Sequence, residues 1–335
     1  MKGRKSETNR IFSFCMRIAA CHASVITLTA LLQFPAFFYA CSPVRESAPA
    51  HNDGQIYIQW TKNPITDSVD LFFFDTTGVQ LLDAYQKVMP IEGLPTAGLS
   101  RSGPRRLVAF AGVPSGPGGW YGIRGYADLC KTSFLLEQDS PQQPLLYGEA
   151  LTENGATQDV QLPLQPLLTH IHLRSVSCDF GTLPYAGQTF FNSWLFLSYA
   201  GSECRPLGAG DPPEPLSWLN AGALDSVSAR RLPHPEMVWQ AGCGDIGPKR
   251  IYPERDFYCY PGLRTCLVLE GRVGADVCYY PVSLRGLRPG KTYRLDLTLQ
   301  RKGAPDPDMP VESGTVIVDC FTVPWEQETP RTIYL

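Results

Sequence analysis

The chain has 335 residues, 44% of them apolar and 18% charged, with 30 Gly and 30 Pro. So many chain-breakers argue against long helices, because Gly costs backbone entropy and Pro removes a hydrogen-bond donor. The formal charge of −3 hides an asymmetry: beyond residue 40 there remain 24 basic and 31 acidic residues, so no basic field is left to attract nucleic acid.

The first element is an export signal. Lys2, Arg4, Lys5, Arg10 and Arg17 precede 23 residues without formal charge, Ile18 to Ala40. A basic start, an apolar core and a small residue at the cut describe a secretory signal peptide, residues 1–40. It closes in Phe38-Tyr39-Ala40-Cys41-Ser42, a lipobox-like sequence that makes Cys41 the lipidation residue. A polar, Pro-containing tether, residues 41–54, follows as a lipid-anchored domain requires. The competing reading is an uncleaved membrane span, since 23 residues can cross a bilayer of roughly 30 Å. His22, Gln33 and Pro35 make that stretch a mediocre permanent helix.

Beyond the tether the signals are those of strands. Ile56, Ile58 and Trp60 alternate onto one face, as do Val69, Leu71 and Phe73, the period-two mark of a half-buried strand. Residues 79–89 are expected to form a short helix stopped by Pro90. A strand at 106–111 then leads into a Pro/Gly loop at 114–119. A second series of strands starts at 167–173 and 194–198. Residues 200–255, rich in Pro, Gly and polar side chains, read as a loop-rich insertion. Four strands close the chain, at 265–271, 277–284, 293–300 and 315–323. Sheets with one apolar face favour two stacked layers per unit, so the expectation is an all-β chain with an N-terminal β-sandwich at 55–162 and a C-terminal one at 163–335.

Eight cysteines lie beyond Cys41, an even number compatible with disulfides in an exported chain. The pairings expected are Cys204–Cys243, closing the insertion, and Cys266–Cys278, across a hairpin; small buried thiols are the alternative. No C-x-x-C pair is present, so zinc-ribbon and thioredoxin-like readings lack their signature.

Motifs for chemistry are few. Gly286–Thr292 has three residues between its glycines where a phosphate-binding loop needs four, and it leads into a strand, so it reads as a β-turn. Gly98–Gly103 has a serine between glycines without the nucleophile-elbow spacing and reads as a loop. His170 and His172, two apart on a strand, share a face and could share a metal, but no third ligand is evident in the sequence. A solvated strand face is the preferred reading, and no metal, cofactor or catalytic residue is assigned. Trp120-Tyr121 could present a stacking surface for sugar or protein; packing over a sheet edge is the alternative.

The C-terminal strands resemble a known pattern. Leu284–Tyr293, the alternating strand Leu295–Gln300, a Gly/Pro/Asp loop and a last strand ending at Pro324-Trp325 are similar to the C-terminal sheet of fimbrillin-type proteins of Bacteroidales. The lipoprotein signal and the strands at 56–60, 69–74 and 105–113 are similar to the fimbrial anchor branch of that family. The resemblance implies two transthyretin-like β-sandwich domains in tandem. It further implies a non-enzymatic, lipid-anchored outer-membrane protein that anchors or limits a fimbrium, with other fimbrial subunits as partners joined by strand complementation. A surface glycan-binding lipoprotein is the alternative, and a secreted hydrolase ranks third.

Overall fold

Val69, Leu71 and Phe73 point to one side of a strand, Asp70, Phe72 and Phe74 to the other, and both sides are buried. That strand is β2 (Val69–Asp75) in a computed structural model that describes residues 54–60, 68–89, 96–100, 103–113, 120–153, 157–206, 217–219 and 234–325. The signal segment, Cys41, the tether as far as residue 53 and the Pro/Gly loop at 114–119 lie outside these residues. No helix among the described residues is long and apolar enough to cross a membrane.

β2 sits inside a five-stranded sheet with β3 (Leu82–Val88), β5 (Arg105–Ala111), β7 (Leu146–Thr152) and β9 (Gln165–Pro166), in the order β3-β2-β5-β7-β9. A smaller sheet, β4-β1-β8, is made by β1 (Gly54–Trp60), β4 (Thr96–Ser100) and β8 (Thr157–Leu162). Ile58, Val160 and Leu162 from the smaller sheet pack on Val69, Leu71, Phe73, Leu107 and Ala109. The opposite face, Phe72, Phe74, Val108 and Phe110, joins a second and larger core. Each large apolar side chain so buried contributes about 1.5–3 kcal/mol. This two-sided burial explains why every residue of the run Leu71–Phe74 is apolar.

Two sequence expectations fail here. Residues 79–89 do not form a helix: Leu82–Val88 is strand β3, paired antiparallel with β2. Asp75 Oδ1 accepts the Thr77 N–H at 3.1 Å and Gly78 takes φ 52°, turning the chain back along β2. Tyr85 then packs on Phe72 at 5.1 Å and donates its hydroxyl to the buried Asp70 at 2.6 Å. These contacts outweigh helix preferences of a few tenths of a kcal/mol per residue. Within Gly98–Gly103, Gly98–Ser100 is not loop either, because Thr96–Ser100 pairs with β1 as strand β4.

The second set of strands forms two four-stranded sheets. One has the order β15-β10-β18-β19 and comprises β10 (Thr169–Cys178), β15 (Arg255–Cys259), β18 (Lys291–Leu299) and β19 (Val316–Pro324). The other has the order β14-β11-β16-β17 and comprises β11 (Phe190–Ser198), β14 (Trp239–Ile246), β16 (Cys266–Val273) and β17 (Asp276–Ser283). Ile171, Leu173, Leu295, Leu297 and Leu299 from the first meet Phe190, Leu195, Leu197, Leu267 and Leu269 from the second in the larger core. The turn at Gly286–Thr292 is a β-turn region as expected. The Tyr293 hydroxyl fastens it, donating to Gly286 O at 3.0 Å and accepting from Arg288 N at 2.9 Å.

The insertion at 200–255 is more structured than its composition suggests. It contributes β12 (Ala200–Cys204), β13 (Ser217–Leu219) and the eight-residue β14. Glycine hid β14 from a hydrophobic reading, and the structure shows why glycine is there. A Cβ on Gly242 would lie 2.2 Å from Asn192 O, and one on Gly271 would lie 2.1 Å from Phe191 O. The close approach surrounds an irregularity in β11 between Asn192 and Trp194. The buried Asn192 amide fills it, donating to Trp194 O and Glu270 O at 2.9 and 3.0 Å and accepting from Cys243 N at 2.8 Å.

The strands before and after residue 162 meet at a seam. β6 (Phe134–Leu135) pairs with β12, and the Tyr260 hydroxyl donates to buried Asp139 at 3.2 Å. The larger core runs through this seam, and Asn52–Leu335 forms one compact unit.

Candidate functional site

A strand at the border of a sheet leaves alternate N–H and C=O groups without a ladder partner, and proteins ordinarily shorten, charge or cover such borders. β17 is covered: the 303–304 segment runs beside it, with Tyr279 N donating to Ala304 O and Ala304 N to Tyr279 O, each at 2.8 Å. β19 is treated differently. It is nine residues long, it is the border of its sheet, and no strand pairs with its outer side among the described residues.

Its side chains are equally unguarded. Register with β18 sets Val316, Val318, Cys320 and Thr322 opposite Leu299, Leu297, Leu295 and Tyr293, so this parity continues the core-facing row. Yet the β18 leucines are fully buried while Val318 is 40% exposed. The other parity carries Ile317 at 44% and Phe321 at 54% exposure. Among the described residues the sandwich is therefore open along one flank, with apolar side chains on both faces of a strand whose outer edge has no ladder partner. A second extended chain laid there would complete the ladder and cover Val318 on the core side.

The strand behind that flank is held firmly. At the bulge between Leu173 and Ser175, Arg174 and Ser175 both donate to the Asp296 carboxylate of β18, with Arg174 Nε at 3.0 Å. The Arg174 guanidinium keeps that carboxyl below its ordinary pKa. Arg174 also reaches over the Phe321 ring at 5.7 Å, linking the bulge to β19.

Cys41, the expected lipidation residue, lies outside the described residues. The eight later cysteines are all free thiols, and burial pushes Cys178 and Cys259 up to about 12. Cys266 pairs with Ser283 and Cys278 with Gly271, five positions apart along the hairpin. At about 3.3 Å per residue that is roughly 16 Å, well beyond the ~7 Å a bridge can span, so the expected Cys266–Cys278 bridge does not close in this register. Cys204 lies on β12 and Cys243 on β14, unbridged.

Trp120 is not presented as a stacking platform. It packs edge-on to Phe72 at 4.9 Å and stacks on Phe110 at 5.1 Å, leaving Tyr121 exposed. The ionisable group around Glu149, which accepts from Arg106 and Tyr147 at 2.6 Å each, fastens the helical turn Tyr126–Leu129 to the sheet, with Arg106 lying 4.3 Å over the Tyr126 ring. His170 and His172 share the outer face of β10, and the structure supplies the third partner that the sequence did not reveal, Asp256 on β15. The border of β19 itself was also missed; only its apolar composition on both parities signalled it.

Stacked all-β sheets define the class of this molecule: an all-β sandwich protein in which, among the described residues, the long apolar border of β19 has no strand on its outer side. Comparison with known proteins then places the fold. No family model and no curated protein matches the chain. Among solved structures it is similar to a candidate cell adhesion protein from Bacteroides eggerthii DSM 20697, at 18% identity and a TM-score of 0.59, covering 82% of this chain and 96% of that one. It is also similar to a fimbrilin (fimA) from Porphyromonas gingivalis W83, at 13% identity and a TM-score of 0.54, covering 82% and 98%. At such identities the likeness is one of fold.

Proposed function

We propose that this chain is a non-enzymatic fimbrial subunit of the cell surface, held at the outer membrane by lipid on Cys41 and joined to another subunit by strand addition along β19. The uncovered border of β19 carries the reading. A nine-residue strand with Ile317, Val318 and Phe321 exposed is an aggregation liability unless a specific partner covers it. Strand addition supplies main-chain hydrogen bonds for affinity and side-chain pockets for specificity. The fold shared with a fimbrilin over 82% of the chain supports the choice of partner class. Two tandem sandwiches, 55–162 and 163–335, belong to the same reading: among the described residues, β6–β12 and β7–β9 are the strand pairings that cross that point, although the larger core runs through it.

The test is assembly in cells that carry the gene. Wild-type protein should be recovered in sheared surface fibres, and Ile317→Arg or Phe321→Arg should remove it from that fraction while leaving thermal unfolding within a few degrees, since both side chains are exposed on the outward parity. Cys41→Ala should release the protein from the membrane. Border variants that still assemble like wild type, or a wild type never found in fibres, would defeat the proposal.

A further inference from the structure

Two imidazoles and a carboxylate converge at the opposite border of the sheet that β19 closes. His170 and His172 stand two apart on β10, so period-two alternation puts both on its outer face. β15 pairs antiparallel with β10 and sets Asp256 directly across from His172. Asp256 Oδ1 lies 2.7 Å from His170 Nε2 and 2.7 Å from His172 Nδ1. The three donor atoms all fall within 4.8 Å of one another.

From this geometry we infer that His170, His172 and Asp256 form a binding site for a late first-row divalent cation of the zinc class. Imidazole nitrogens and a carboxylate oxygen are the donor set such ions take, and three protein ligands with one position left to solvent describe an open tetrahedral site. With ligand bonds of about 2.0–2.1 Å, neighbouring donors in a tetrahedron sit roughly 3.3 Å apart. The Asp256 oxygen therefore has to withdraw by about 0.6 Å from each ring, within reach of a side chain that is 44% exposed, and the two imidazole nitrogens, which lie within 4.8 Å of each other, settle to the same spacing by rotation of their rings.

The surroundings hold the donors in place. His170 Nδ1 lies 3.1 Å from Thr292 Oγ1, which orients its ring so that Nε2 faces Asp256; partners of this kind typically fix the tautomer of a metal-binding imidazole. The same ring stacks on Tyr258 at 4.8 Å and 10°, with Trp325 at 5.8 Å. Glu254 adds negative charge near His172, and Arg294 opposes it from β18. Occupied, the site ties β15, a border strand, to β10, the central strand beside it.

Zinc chloride titrated into the full-length protein, purified in detergent without a histidine tag, tests this by calorimetry. One Zn2+ per chain is expected, with affinity falling at least tenfold in His172→Ala and in Asp256→Asn and unchanged in His234→Ala, which lies elsewhere. Circular dichroism of each variant separates lost ligands from lost fold, and His172→Gln provides a gentler substitution if alanine unfolds the chain. Cobalt(II) as a spectroscopic probe should give tetrahedral bands without sulfur-to-metal charge transfer. Absence of saturable binding, equal binding by the variants, or a sulfur charge-transfer band pointing to the free cysteines would each overturn the assignment.

Discussion

Asp139 offers the most direct test of the seam. Its carboxylate is 3% exposed and accepts three hydrogen bonds, from Leu145 N at 2.9 Å, Ser140 N at 2.8 Å and the Tyr260 hydroxyl at 3.2 Å. Burial nevertheless outweighs those donors and pushes the carboxyl up from 3.8 to about 6. The sign follows from linkage. A carboxyl with a folded pKa above its unfolded one binds more protons when folded, so its effect on stability is nil below pH 3.8 and grows unfavourable as pH rises to about 6, then levels off. At about 1.4 kcal/mol per unit, a rise of about two units makes the deficit about 3 kcal/mol. Asp139→Asn keeps an acceptor for the Leu145 and Ser140 N–H groups and cannot ionise. Its unfolding free energy minus that of wild type should therefore rise by about 3 kcal/mol between about pH 4 and pH 7. Urea unfolding followed by tryptophan fluorescence measures the difference, and groups common to both proteins cancel. A difference that stays level across that range would show that Asp139 does not ionise within a buried seam, and the account of the seam would fall.

Other consequences can be checked on the same protein. Asn192→Leu strands the Cys243 N–H and removes both amide donations, so it should lower stability by about 2–4 kcal/mol in chemical denaturation. Phe110→Ala removes a ring packed on Trp120, Phe134 and Tyr147 and should cost about 3–5 kcal/mol, read as a lower urea midpoint. Gly148→Ala places a Cβ 2.6 Å from Pro163 O, a backbone atom that has little room to move, so a drop of more than about 1 kcal/mol is expected in the melting curve. In the reduced native protein, thiol reagents should label exposed Cys320 first and leave buried Cys178, Cys204, Cys259 and Cys278 unmodified until unfolding, which peptide mass mapping can score.

Where a segment carries one parity of apolar residues, sequence and structure agree. Tyr293, Leu295, Leu297 and Leu299 alternate with polar neighbours and form β18 with that face inward. Agreement is lost where tertiary contacts decide. Leu82–Val88 has enough helix-forming residues to suggest a helix, but a turn at Gly78 and the Tyr85–Asp70 hydrogen bond commit it to a hairpin. β14 carries Gly242 because the neighbouring strand passes within contact of its backbone, and glycine in a loop-like composition reads as irregular structure. The carboxylate shared by His170 and His172 lies 84 residues or more away in sequence. Spacing alone identifies donors on one strand, while a donor on the neighbouring strand emerges only once the register is known.

The border of β19 shows the limit more sharply. Val316-Ile317-Val318-Asp319-Cys320-Phe321 is apolar on both parities, the same signature that β2 carries in Leu71–Phe74. In β2 that signature is satisfied, because one layer of side chains covers each face and a strand lies on either side. In β19 it is not, since among the described residues the strand has a neighbour on one side only and Ile317, Val318 and Phe321 are open to solvent. Hydrophobicity measures how much burial a strand calls for, and topology measures how much the chain itself supplies. The difference between the two at β19 is an area that the described residues leave open, and the proposed strand addition would cover it while pairing the backbone groups along it.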